Sequence, residues 1–288
     1  MGRGERPIWI DFPPTPRPRW GHGRPAHEPL RALFEKGREG YQSLLRDTLR
    51  DRDRLAAVPL RGRPDSGEPY WDNGYLPGLD AAVLYGVLAR RAPRRYVEIG
   101  SGHSTRFVAR AIRDHALPTE IVSYDPSPRA SVAGLAKEIH RVRLEDLPLD
   151  TLVGSLRAGD VLFFDGSHRV LENSDVTVFV LDVLPRLPAG VWVQIHDICL
   201  PYDYPPGWEG RWYSEQYLVA AYLLGGGAGL RILLPNAFVS ADPELSRILD
   251  PLWSEPSLQG VVRGGSSLWL ETSGERTPTP GLRPDTSR

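Results

Sequence analysis

The sequence predicts a doubly wound α/β sheet, and three observations lead there. Between residues 95 and 197, short apolar runs alternate with stretches of helical period, and strands alternating with helices build a parallel sheet. Two of the runs, "VLFF" and "VWVQI", do not alternate apolar with polar residues, as expected of strands buried on both faces. Each run then ends in polar residues, and an open parallel sheet binds ligands beyond the carboxyl ends of its strands.

The elements follow in order. Residues 1–27, rich in Pro, Arg and Trp, read as an irregular arm packed through Trp9 and Trp20. From His27 to about Leu55, the residues Leu30, Phe34, Tyr41, Leu45 and Leu49 fall on a helical stripe, weakened at Gly37 and Gly40. Residues 57–77 are punctuated by Pro and Gly and read as loop. "LPGLDAAVLYGVLARRAP" is then a helix ending near Arg91. "RYVEIG" is the first strand, "STRFVARAIRDHA" a helix, "EIVSYD" a strand, "RASVAGLAKEI" a helix and "HRVRLEDL" the third strand and turn. "VLFFDGSH" is the fourth strand, "SDVTVFVLDVLPRLP" a helix and "GVWVQIHD" the fifth strand. "SEQYLVAAYLL" is helical, and "LRILLP" and "SSLWLE" close the sheet. This divides the chain into a partly helical extension over 1–75, an α/β domain over 76–272 and a polar, Pro-rich tail over 273–288 that is expected to be disordered.

Composition bounds the partners. The 288 residues carry a formal net charge of -1, so no global field favours nucleic acid or an anionic membrane. The basic N-terminal stretch is diluted by Pro and balanced by acids further on, and reads as a solvated arm. Cys199 is the only cysteine, which rules out an intramolecular disulfide and a cysteine metal cage and suits a reducing cytoplasm. The N-terminus lacks a continuous apolar run of the secretory kind, and no stretch is long and apolar enough to span a bilayer. The expected partner is a small molecule; a homo-oligomer stays open.

The strand ends supply the candidate site. Glu98, Gly100, Ser101, Gly102, Ser104 and Thr105 follow the first strand, and Asp125 ends the second. Glu145 and Asp146 follow the third, Asp165 and His168 the fourth, His196 and Asp197 the fifth. Glycines at 100 and 102 allow a sharp turn close to a ligand, and the next helix aims its N–H groups at it. The dinucleotide fingerprint G-x-G-x-x-G fails, because its sixth position is Thr105. Asp125 is placed for ribose hydroxyls, which serves a nicotinamide dinucleotide and other adenosyl ligands alike.

The acidic-x-Gly-x-Gly form of "VEIGSG" resembles the first motif of class I S-adenosylmethionine-dependent methyltransferases. With "DGSH" and "HDI" in order, and "PYDYPPGW" before "RWYSEQYLVAAYLL", residues from about Trp71 to Ser240 resemble one bacterial branch of that family. The branch also contains macrocin O-methyltransferase-like and cephalosporin hydroxylase-like proteins. The resemblance implies a Rossmann-like methyltransferase sheet that O-methylates a small acceptor, such as a secondary metabolite, a sugar or an aromatic. Glu98, Gly100, Ser101, Gly102, Ser104, Thr105, Asp125, Glu145, Asp146 and Asp165 would hold S-adenosylmethionine. His168 is the expected general base, with Asp165 beside it. Some relatives bind a divalent cation through three acidic or amide ligands. Asp165 and Asp197 match that pattern and His196 departs from it, which speaks against Mg²⁺ and leaves Mn²⁺ or another imidazole-tolerant ion. The aromatic-rich stretch with Tyr202, Asp203, Tyr204, Trp208, Trp212 and Glu215 is expected to wall the acceptor. An NAD(P)-dependent oxidoreductase, a metal-binding hydroxylase-like enzyme and a non-catalytic binding subunit are the alternatives.

Overall fold

A computed structural model of the chain describes residues 9–128, 132, 134–227 and 229–273. Seven strands form one sheet in the order β3-β2-β1-β4-β5-β7-β6. They are β1 (Arg95–Ile99), β2 (Glu120–Tyr124), β3 (Glu138–His140), β4 (Val161–Phe164), β5 (Trp192–Ile195), β6 (Leu230–Pro235) and β7 (Leu268–Thr272). The first five run parallel. β7 inserts antiparallel between β5 and β6. The strand order reverses between β1 and β4, the switch point at which ligands bind in doubly wound sheets. All four residues of β4 are buried, so both faces of the sheet centre are covered, as its unbroken apolar run requires.

The helices are α1 (Glu28–Glu35), α2 (Arg38–Leu49), α3 (Arg52–Ala56), α4 (Gly78–Arg91), α5 (His103–His115), α6 (Leu149–Ser155), α7 (Asp175–Val178), α8 (Glu215–Leu224), α9 (Asn236–Ala241) and α10 (Asp250–Trp253). α4 is buried along most of its length and packs on α5 and α2. The central core is Tyr85, Tyr96, Phe107, Phe163, Phe164, Phe179 and Trp269, all 1% exposed or less. No helix among the described residues is long and apolar enough to cross a membrane.

The departures from the sequence reading have local causes. The helical stripe expected over 27–55 is three short helices, and the first break falls at Gly37, where the Tyr41 ring fills the space a side chain would need. Trp9 does not pack: it is 88% exposed, whereas Trp20 sits edge-on to His27 at 4.4 Å. The helix expected in "RASVAGLAKEI" falls partly outside the described residues; within them, 134–135 form a turn and β3 starts at Glu138. The helix after β4 keeps α geometry for one turn only, then widens over Phe179–Val183 and tightens over Leu184–Arg186, where Pro185 ends it. Of the tail expected to be disordered, Ser273 is described and bonds its N–H to the Gly229 carbonyl at 2.7 Å; 274–288 lie outside the described residues.

Candidate active site

Strand register places the site. Ile99 aligns with Phe164, and Phe164 with Ile195, so Gly100, Asp165 and His196 leave the sheet side by side. The approach between the first two is close. Gly100 has φ +85°, and a side chain there would collide with the Asp165 carbonyl. Gly100 is thus needed twice, for its left-handed backbone and for its missing Cβ. Gly102 differs: its backbone is extended and open space lies where a side chain would be.

Three cavities meet at this edge. A cleft of about 870 Å³ is lined by Ser101, Tyr124, Asp125, Leu144, Glu145, Asp146 and Asp165, among others. A second cavity, about 320 Å³, lies between Tyr70, Tyr75 and the start of α5. The third, about 440 Å³, is walled by Trp71, Tyr75, Trp208 and Tyr213, with Asp165, His168, His196 and Asp197 at its base. Asp165 lines all three.

The large cleft gathers most of the residues expected to hold the methyl donor. Asp125 ties the glycine turn after β1 to the turn after β2: its Oδ2 accepts from the Ser101 N–H and hydroxyl, both at 2.9 Å, and its Oδ1 from the Ser127 N–H at 2.7 Å. A carboxylate has about four acceptor positions, so room for a ligand hydroxyl remains. Tyr124, Val142 and Leu144 add apolar wall, which suits an adenosyl group with a flat base and polar ribose.

Glu98 and Thr105 sit elsewhere than expected. Glu98 is fully buried behind the turn and lines none of the three cavities. It pairs in register with Ser123, whose hydroxyl donates to it, as do Thr105 at 2.6 Å and Ser104 at 3.4 Å. Burial pushes its carboxyl up to about 7, and the hydroxyl donors only partly offset that. Thr105 also accepts from the Gly102 N–H at 3.0 Å. These residues shape the turn from behind.

Around the third cavity, charge is concentrated. His168 is 6% exposed and stands at φ +61°. Its Nδ1 lies 2.8 Å from Glu215 Oε2, and its Nε2 is 3.2 Å from Asp165 Oδ1 and 3.7 Å from Asp197 Oδ2. His196 Nδ1 is 3.5 Å from both Asp165 and Asp197, and its Nε2 is 3.5 Å from Asp80. Burial opposes charge on His168, yet hydrogen bonding to Asp165 and Glu215 wins and pushes it up to about 10. Burial likewise opposes charge on His196, and the Asp197 and Asp165 carboxylates raise it. For Asp165, burial works upward, but the two imidazoles hold the carboxyl well below the usual range. Burial lifts Glu215 to about 7 against the pull of His168.

The turn that carries His168 is fixed from two sides. Asp175 of α7 accepts from the Ser167 N–H at 2.7 Å and its hydroxyl at 2.6 Å. The His168 carbonyl accepts from the Ser214 and Glu215 N–H groups at 2.8 and 3.2 Å, which pins the start of α8 to the end of β4. Asp197, at φ +54°, is a second non-glycine residue of this cluster in the left-handed region. Such strain persists only where the surroundings over-determine it, and it clusters at functional sites.

Several expected acceptor contacts do not reach the cavity. Tyr202, Asp203, Tyr204 and Trp212 line none of the three cavities. Asp203 is buried and anchors the N-terminal arm, accepting from the Arg19 and Trp20 N–H groups and, at 2.9 Å, from the Tyr217 hydroxyl. Glu215 faces His168 and not the cavity. Tyr213, one residue past Trp212, is the side chain that turns inward, 4.4 Å from the His168 ring. Sequence reasoning missed Asp80, a fully buried acid in the first turn of α4. It accepts from Asn236 and from the Ser266 and Ser267 N–H groups. An acid inside an apolar helix stripe was the available signal.

Asp165, His196 and Asp197 come together, but as ion pairs. A metal needs neutral imidazole, whereas the carboxylates around His168 and His196 favour their charged forms. Among the described residues no group of three His, Cys, Asp or Glu has the geometry to hold an ion. The donor set does not fit Mg²⁺, which demands oxygen ligands.

Residues 97–198 match the family described as a methyltransferase domain. No curated protein matches the sequence. Among solved structures, the chain is similar to the SAH-bound methyltransferase of Podospora anserina, at 17% identity and TM-score 0.41 over 67% of this chain and 77% of that one. It is similar to the O-methyltransferase TomG from Streptomyces achromogenes, involved in tomaymycin synthesis and solved with SAM, at 16% identity and TM-score 0.38 over 67% and 79%. The plantazolicin methyltransferase BpumL in complex with SAH is similar at 13% identity and TM-score 0.39 over 84% and 99%.

Proposed function

We propose that this chain, whose residues 97–198 match a methyltransferase domain, transfers the methyl group of S-adenosylmethionine to an oxygen of a small ring-bearing or sugar-like acceptor. The observation that carries the reading is the position of Asp165. It lines both the large cleft after β1–β3 and the aromatic-walled cavity. Methyl transfer is an in-line displacement and needs donor carbon and nucleophile close together, so one cleft must open onto the other.

The donor supplies an electrophilic methyl group on a positive sulfur. Ser101, Asp125, Glu145 and Asp146 would hold it, with the turn at Gly100 giving the backbone its approach. Trp208, Tyr213 and Tyr75 offer flat faces to an acceptor ring. The acceptor hydroxyl has to lose its proton, and His168 is the group to take it. Its Nδ1 is held by the buried Glu215, so its Nε2 faces Asp165 and the cavity, the arrangement of a base oriented by a carboxylate. In the free chain that imidazole carries a proton. A positive charge entering the cleft weakens its hold on the proton, which couples base activation to donor binding. Asp165 and Asp197 orient the hydroxyl. No step runs through a metal ion.

The test is incubation of the purified chain with S-adenosylmethionine and a panel of hydroxylated aromatics and glycosides, followed by mass spectrometry. The expected product is a methyl ether, lost in His168→Ala. A methylated amine or carbon as the sole product contradicts the oxygen assignment.

A further inference from the structure

The second cavity contains a charge that neither the donor cleft nor the histidine cluster engages. Arg106, one turn into α5, is fully buried and lines this cavity. Its Nη2 donates to the Pro64 carbonyl, while Nε and Nη1 have no hydrogen-bond partner. Among the described residues no carboxylate forms an ion pair with it. A buried guanidinium without a counter-charge is strongly unfavourable, and the other charged groups of the cavity are matched: His196 faces Asp80 and Asp165.

The surroundings also favour an anion. The cavity begins at the N-terminus of α5, a helix of 13 residues, whose first N–H groups carry partial positive charge. Gly102 leaves open space there. His103 lies edge-on to Tyr70 at 5.0 Å and stacks on Tyr75 at 5.8 Å. Burial, reinforced by the Arg106 charge, holds His103 down to about 4, so its ring is neutral. Asp165 lines the far end of the same cavity. A dianion such as phosphate would be opposed by that carboxylate, whereas a single negative charge balances the single unmatched guanidinium.

We propose that this cavity is a carboxylate-binding subsite in which Arg106 supplies the counter-charge. It opens beside the large cleft, since Ser101 and Asp165 line both. The carboxylate therefore belongs either to the amino-acid end of the methyl donor or to the acceptor. The first source rests on the function proposed above.

The experiment is calorimetric titration of the full chain and of Arg106→Gln with S-adenosylhomocysteine, with 5′-methylthioadenosine, which lacks the carboxylate, and with benzoate. If the donor is the source, the wild type binds S-adenosylhomocysteine at least about tenfold more tightly than methylthioadenosine, as a charge-assisted bond supplies. Arg106→Gln erases that preference and leaves methylthioadenosine binding unchanged, which also shows that the variant is folded. If the acceptor is the source, the preference survives, and benzoate binds the wild type but not the variant. Should Arg106→Gln fail to fold, Arg106→Lys keeps the charge, and an intermediate loss in either titration supports the subsite. Preference and benzoate binding both indifferent to position 106 overturn it. A wild type that binds neither nucleoside overturns the donor reading alone, and the benzoate titration still decides the subsite.

Discussion

The two sides of Asp165 solve opposite problems. On the donor side, polar groups bond within and between the turns after β1 and β2: Ser101 to Asp125, and Ser104 and Thr105 to Glu98. On the acceptor side, two imidazoles are held between four carboxylates drawn from α4, the ends of β4 and β5, and α8. The first arrangement makes a rigid turn whose strain is absorbed by a glycine. The second keeps charge and left-handed, non-glycine backbone together in one place, as a site built to move protons requires. The difference teaches that donor binding is set by backbone shape and acceptor chemistry by electrostatics, and the two can be broken separately.

The largest effect is expected at their junction. Asp165→Asn should lower turnover by roughly 10²–10⁴, the range for a positioned acid–base group, while nucleoside binding measured by calorimetry changes little. Equal loss of binding and turnover would mean that Asp165 is a donor residue only.

Gly100→Ala attacks the donor-side turn where it meets the end of β4. The new methyl group meets the Asp165 carbonyl at a φ of +85°, so denaturant unfolding should show a loss of about 2–4 kcal/mol. A loss under about 0.5 kcal/mol, the size of an ordinary surface change, would mean that β1 and β4 are not in this register.

Glu215→Gln separates charge from shape on the acceptor side. His168 acts as a base when unprotonated, so kcat/KM of the wild type climbs with pH toward the His168 pKa of the free chain, raised to about 10. Removing the negative charge of Glu215 weakens the hold on that proton and shifts the rising limb to lower pH, by about one unit. The plateau should fall about tenfold as orientation loosens. A limb that stays in place would remove His168 from the proton path.

How much of this was legible in the sequence divides along the same line. The strands and their polar ends, with Gly100 after β1 and Asp125 after β2, were readable because each feature lies within one strand–turn unit. The acceptor side was readable only in part. "DGSH" and "HD" pointed to Asp165, His168, His196 and Asp197, but the partners that set their charge, Asp80 and Glu215, lie in helices distant in sequence. Glu98 misled because an acid before a Gly-rich turn looks ligand-facing; the parallel register turns it inward toward Ser123. Asp203 misled because its use is to anchor residues 19 and 20, a contact across more than 180 positions.

The smallest expected effect is that of a chelator. Because the surrounding carboxylates favour protonated imidazoles, EDTA should leave turnover within about twofold, since a metal must displace those protons to bind. A large loss restored by Mn²⁺ would show that the cluster exchanges its protons for an ion.

The central claim is that the cleft beyond β1 and β2 holds a methyl donor. Calorimetric titration with S-adenosylmethionine, and separately with NADPH, addresses it directly. The account predicts micromolar binding of S-adenosylmethionine that is lost in Asp125→Ala, and no comparable binding of NADPH. Absence of donor binding, or tighter binding of NADPH, would contradict it.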